Sequence, residues 1–183
     1  MNKEGKKNLR ILARYIILLA VAVLGVSLFH FIFLPLTKYP VFYFLDIFFD
    51  ALLVGNAIFI NNVTIEIAGA CVAGSAYFLL LILNLGTPNI NPDKRIKMIL
   101  YGFGIFLVVN IIRIIFLSFL FLNSSPYFDF LHKFLWYFGS TVLVVGIWFF
   151  EVKIFRLKDI PFYSDLRYLY RKSSFPSLTK KRR

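Results

Sequence analysis

Long apolar runs separated by short polar stretches dominate the chain. A membrane-crossing helix needs about 20 mostly apolar residues. Four stretches qualify: residues 11–34, closed by Pro35, and residues 67–86, 97–122 and 130–150. A fifth, residues 41–60, is long enough but carries Asp46 and Asp50. Each carboxylate costs about 2.5–3.5 kcal/mol at the bilayer midplane. The pattern therefore predicts an interfacial or re-entrant helix over residues 39–54 rather than a crossing. The segment FINNVTIEI that follows alternates with period two, which predicts a short hairpin or loop. The fold expected is an all-α, polytopic membrane bundle of about four spans plus that interfacial helix.

Charge sets the expected orientation. Of 21 Lys and Arg residues, 18 fall in three places: the start of the chain through Arg14, the loop holding Lys94, Arg95 and Lys97, and the segment after Phe150. The positive-inside rule puts all three in the cytoplasm. Both termini inside requires an even number of crossings. The first apolar run is longer than a signal-peptide core and has no small-x-small cleavage site before Pro35, so it reads as an anchored span. Residues 1–155 form the expected membrane domain, and residues 156–183 a basic cytoplasmic tail.

Composition sharpens this picture. Hydrophobic residues make up 60% of the 183 and charged residues 16%. Soluble domains run about 45–50% and about 25%, so a water-soluble globule is excluded, and so is disorder over most of the chain. The net charge of +12 belongs to the membrane flanks, where it meets anionic lipid; a nucleic-acid partner is not expected. A single cysteine excludes an internal disulfide and a multi-cysteine zinc site. No metal-binding pair or phosphate loop is present, and no cofactor is expected.

Three reactive side chains fall toward the outer side of this topology. Arg113 is the only charge between Lys97 and Asp129 and lies nine residues before Leu122, about 13 Å along a helix. Ionisable residues this deep usually face a polar cavity and mark function; the alternative is an arginine that snorkels to the interface. Asn110, one turn earlier, shares its face and could bond the guanidinium or a substrate. Cys71 lies in GACVAGS near a helix start, where the dipole favours negative charge. Alone it reads first as a small buried hydrophobe, and it is the context that changes this. Its small neighbours, Ser75 among them, leave room for a substrate chain. His132, at the start of the fourth span, offers a base beside the thiol, or simply a polar cap. Asp129 either orients His132 or caps the helix. Asp46 and Asp50, spaced i, i+4, contact substrate, pair with Lys38 or Lys133, or form a solvated face. Glu66 near the Cys71 helix start needs no more than a dipole role, and His30 stands alone on the first span.

EIAGACVAGS, then NIIRI about forty residues on, then an outer-facing His, resembles the exosortase/archaeosortase family of integral-membrane sorting enzymes. Those enzymes carry a Cys, an Arg and a His or second Arg on successive transmembrane helices. The resemblance covers roughly residues 58–150, and ACVAGSAYFLLLILNLGTP is similar to short archaeal members. The chain has fewer spans before the Cys than many members. The resemblance implies a cysteine transpeptidase or protease of the prokaryotic cell membrane, its active site facing outside. Cys71, Arg113 and His132 would be catalytic, with Asn110 part of the arginine motif. Its substrates would be secreted proteins ending in a short motif, a transmembrane helix and a basic cluster. Cys71 would cleave that signal through a thioester and transfer the protein to a lipid or cell-surface acceptor. The competing readings are a small carrier or assembly subunit, whose Arg113 binds an anion or partner helix, and a membrane acyltransferase or plain protease using the same thiol.

Overall fold

A computed structural model describes residues 3–24, 26–88 and 90–157. The expected tail therefore lies, from residue 158 on, outside the described residues. The architecture is an all-α helix bundle with one small sheet. Helix α1 (Lys3–Leu24) leads to α2 (Val26–Phe49). Strands β1 (Leu52–Val54), β2 (Ala57–Ile60) and β3 (Val63–Glu66) form an antiparallel sheet in that order. A one-turn helix α3 (Gly69–Val72) precedes α4 (Gly74–Gly86), and α5 (Pro92–Leu122) returns. Helix α6 (Phe128–Phe134) runs through a π-helical turn, Leu135–Gly139, into α7 (Ser140–Ile154).

Among the described residues, four helical stretches are long and apolar enough to cross a membrane: Ser27–Phe49, Gly69–Gly86, Pro92–Leu122 and Phe128–Ile154. Large apolar side chains such as Phe31, Ile47, Leu100, Ile112 and Phe149 stay exposed around the bundle, the exterior that lipid requires.

The number of spans matches the expectation, but the first is placed differently. Pro35 does not close a helix: Pro35 and Pro40 both lie inside α2, and the crossing candidate begins at Ser27. Neighbouring helices and water can satisfy the carbonyls that a proline frees, so such breaks are tolerated in membrane helices. There is accordingly no separate interfacial helix over residues 39–54. Its first half continues α2, and its second half enters β1. The two carboxylates sit at the end of α2 rather than at a midplane. Asp50 adopts φ 49°, the left-handed conformation that ends helices. Asp46 accepts a hydrogen bond from the Ala51 N–H at 3.0 Å. Lys38 pairs with neither; it donates to the Gly55 carbonyl at 2.9 Å and to Asn56 Oδ1 at 3.3 Å, pinning the β1–β2 turn.

The alternation in FINNVTIEI does give a hairpin, turning at Asn61 and Asn62, with Asn61 at φ 52°. Ile58, Ile60 and Ile67 point inward onto Val41 and Leu45 of α2 and Ile114 of α5, while Thr64 and Glu66 face outward. The sheet thus covers one end of the bundle. A second core holds Phe29, Phe33, Tyr77 and Phe106, with Phe33 stacked on Tyr77 at 3.7 Å.

The opposite end is fastened by polar contacts. The last carbonyls of α4 have no partner within the helix. Arg95, buried, donates to the Asn84 carbonyl, to Leu85 at 3.2 Å and to Thr87 at 2.8 Å; Arg14 reaches the carbonyls of Leu85 and Thr87 at 3.3 and 3.1 Å. Lys94 ties the start of α5 to the Phe155 carbonyl after α7 at 2.6 Å. Between them Glu151 of α7, fully buried, accepts from Asn84 Nδ2 at 2.9 Å. A Cβ at Gly102 of α5 would overlap that carboxylate and lie 3.1 Å from Leu80 Cδ2. Gly102→Val is therefore expected to destabilise the bundle by about 1–3 kcal/mol through overpacking. Glu151→Gln keeps an acceptor for Asn84 and is expected to cost less. Thermal unfolding in detergent, followed by tryptophan fluorescence, ranks the two; equal melting temperatures would contradict this packing.

Candidate functional site

A cavity of about 430 Å³ opens where β3, α3, α5 and α6 meet. Cys71, Arg113 and His132 all line it, each from a different helix. Thr64, Glu66 and Ala68 form one wall, and Leu117, Phe121 and Phe128 give an apolar opposite side.

Cys71 sits in the one-turn helix α3. That turn ends at Ala73, which adopts φ 54°, ψ 44°, so the expected continuous helix of residues 67–86 is interrupted two residues after the thiol. The break separates the short turn carrying Cys71 from the span beneath it. Cys71 Sγ lies 4.0 Å from the Glu66 carbonyl, and Asn110 Nδ2 donates to the Cys71 carbonyl at 2.9 Å. Asn110 is buried. It braces the cysteine's backbone and not the guanidinium, one of the two partners the sequence left open.

Arg113 is held from α7. Its Nη1 donates to Ser140 Oγ at 2.7 Å and reaches the Leu135 carbonyl at 3.5 Å. The Leu135 carbonyl also accepts from the Ser140 N–H, the bond that closes the π-helical turn, and from Ser140 Oγ at 3.2 Å. The Ser140 hydroxyl thus donates to the Leu135 carbonyl and accepts from Arg113 Nη1, within the capacity of one hydroxyl. The Arg113 Nε is buried with no hydrogen-bond partner among the described residues.

His132 is exposed at the rim, its ring stacked on Phe128 with centroids 5.4 Å apart. Asp129 is exposed and makes no hydrogen bond to it among the described residues. Its place in the first turn of α6 leaves it a favourable charge near the helix start. Ser75 is not in the thiol cavity. It lines a neighbouring one of about 420 Å³ with Gly74, Leu79, Ser140 and Thr141, which shares only Ala70 and Trp136 with the first. The turn at Ala73 carries Ser75 away from Cys71. His30, half-buried in α2, packs against α3: its ring lies 3.5 Å from where a Cβ of Gly69 would sit.

Sequence reasoning missed Ser140 and the outward carbonyl of Glu66. Ser140 carried a weak signal, a hydroxyl within the apolar fourth span. The π-helical turn that aims it at Arg113 has no signature in residue type. Among the described residues, no group of three or more His, Cys, Asp or Glu could hold a metal ion.

No family model, curated protein or solved structure matches the chain.

Proposed function

We propose that the chain is a membrane-embedded cysteine transpeptidase or protease of the prokaryotic cell surface, similar in chemistry to exosortases and archaeosortases. The observation that carries this reading is the meeting of Cys71, Arg113 and His132 on one cavity. These are a nucleophile, an oxyanion-stabilising cation and a proton carrier, the three roles acyl transfer requires. The tether from Ser140, which holds the Arg113 guanidinium at the cavity, supports it further.

In the first step His132 takes the Cys71 proton and Sγ bonds to a peptide carbonyl carbon. The oxyanion formed lies beside Arg113. The C–N bond then breaks, with His132 giving its proton to the departing amine, and a thioester remains on Cys71. An acceptor amine, on a lipid or another surface component, attacks that carbonyl and loses its proton to His132. The C–S bond breaks, and the proton restores the thiol. The substrate is a secreted protein whose C-terminal motif, transmembrane helix and basic cluster place its cleavage point at the sheet end of the bundle. No cofactor takes part, and nucleic acid is not a partner.

This reading places the sheet end outside the cell and the Gly86–Pro92 turn inside, with both termini cytoplasmic. The clustering of basic residues supports that orientation. Single cysteines at Asn91, Asn123 and Ser177, in a Cys71→Ser background, test it. An impermeant maleimide is expected to label only position 123 in intact cells; outside labelling at 91 or 177 would contradict it. The activity itself is tested by co-expression with a secreted protein from the same genome that ends in a motif, helix and basic cluster. Its size is expected to fall in the presence of the wild type. An unchanged size would leave the anion-binding or partner-binding carrier ahead.

A further inference from the structure

The register of the sheet fixes which way the backbone of β3 faces. Ile67 N–H bonds to the Asn56 carbonyl at 2.9 Å, and Ala57 pairs with Glu66. In an antiparallel ladder, hydrogen-bonded and non-hydrogen-bonded pairs alternate. Ala57–Glu66 and Phe59–Thr64 are therefore the non-bonded pairs, and Ile58–Ile65 and Ile60–Val63 the bonded ones. The N–H and C=O groups of Thr64 and Glu66 consequently point away from β2. The strand order leaves β3 at an edge, and among the described residues no backbone group pairs with these four.

That open edge meets the thiol. The outward carbonyl of Glu66 lies 4.0 Å from Cys71 Sγ, and Thr64 and Glu66 both line the cavity holding Arg113 and His132. We propose that the free edge of β3 is the substrate strand-docking site: an extended peptide adds to the sheet there, its backbone bonded to Thr64 and Glu66. The two donor–acceptor doublets are spaced by two residues, about 6.8 Å, which is the repeat of an extended peptide and of no other common ligand. A chain in that register runs past the thiol, so its carbonyls are delivered to Cys71 by main-chain bonds whatever its side chains. The proposal rests on the thiol chemistry given above and adds how substrate is held.

The test uses full-length protein in lipid nanodiscs and two thiol-reactive probes. One is an acetylated tetra-alanine vinyl sulfone; the other is methyl vinyl sulfone, too small to dock. Alkylation of Cys71 is followed by intact mass, and each rate is normalised to that with glutathione. The peptide probe is expected to react faster than the small one. Moving a single N-methyl group along the peptide is expected to slow it about five- to tenfold at alternate residues and little between them. Thr64→Pro removes an outward N–H yet leaves every β2–β3 bond, because proline is tolerated where the N–H faces away from the ladder. That variant is expected to lose the peptide's advantage while methyl vinyl sulfone reacts at the wild-type rate. Equal normalised rates for the two probes, or N-methyl effects without alternation, would overturn the docking edge and leave the thiol chemistry standing. Failure of both probes to modify Cys71 would overturn the thiol chemistry and the docking edge together.

Discussion

Cys71→Ser is expected to process its substrate at least about a thousandfold more slowly than the wild type, since the loss of a covalent nucleophile removes the whole acylation route. A hydroxyl ionises far less readily than a thiol, and His132 is the one imidazole on the cavity. Cys71→Ala is expected to be as inactive. Neither change should unfold the protein. Cys71 is only partly buried in a one-turn helix, and its backbone anchor to Asn110 is a main-chain carbonyl that any residue supplies. The size shift of the co-expressed substrate measures the activity, and membrane yield with thermal unfolding measures the fold. A Cys71→Ala protein with normal processing would remove the thiol from the mechanism.

Arg113→Lys is expected to lose about a hundredfold or more, the scale on which oxyanion donors contribute. The positive charge persists, so insertion should be preserved. What disappears is the planar fork. In the wild type, Ser140 and the Leu135 carbonyl take Nη1, which fixes the plane of the guanidinium and leaves Nε without a partner. A lysine ammonium has no second rigid donor to offer once Ser140 has taken the first. Ser140→Ala should lower activity in the same direction by a smaller factor, because Arg113 keeps its place but loses its strongest tether. Initial rates of the three proteins at equal membrane abundance separate these effects. A lysine variant at wild-type rate would mean that charge alone suffices.

The two ends of the bundle differ in how far residue type foretold them. Arg113 stood out because it is the only charge between Lys97 and Asp129, and a guanidinium in an apolar helix must find partners. The FINNVTIEI hairpin was legible for a similar reason: period-two alternation has no helical equivalent. The helix breaks were not legible. From Ile11 to Phe49 the chain is apolar almost throughout, and only Gly25 and Ser27 mark the change from α1 to α2, residues that membrane helices also carry in their interiors. Pro35 and Pro40 stop helices in water but not in α2. The left-handed turn at Ala73 and the π-helical turn before Ser140 are set by packing between helices, and alanine and serine at those positions give no warning of either. Those two turns decide that Ser75 faces a different cavity from Cys71 and that Ser140 meets Arg113. The span count was thus readable from hydropathy, whereas the support of the guanidinium needed the fold.

The most direct test of the central claim, that Cys71 forms a covalent acyl intermediate beside Arg113 and His132, is the intact mass of the protein isolated from cells making its substrate. The wild type, quenched in acid while substrate is still being processed, is the form in which the intermediate is expected, because His132→Ala removes the base of the acylation step itself. The account predicts an added mass equal to the cleaved substrate, mapped to Cys71 and released by neutral hydroxylamine as thioesters are. Substrate processed at the normal rate with no hydroxylamine-labile adduct on Cys71 in the acid-quenched wild type would contradict it.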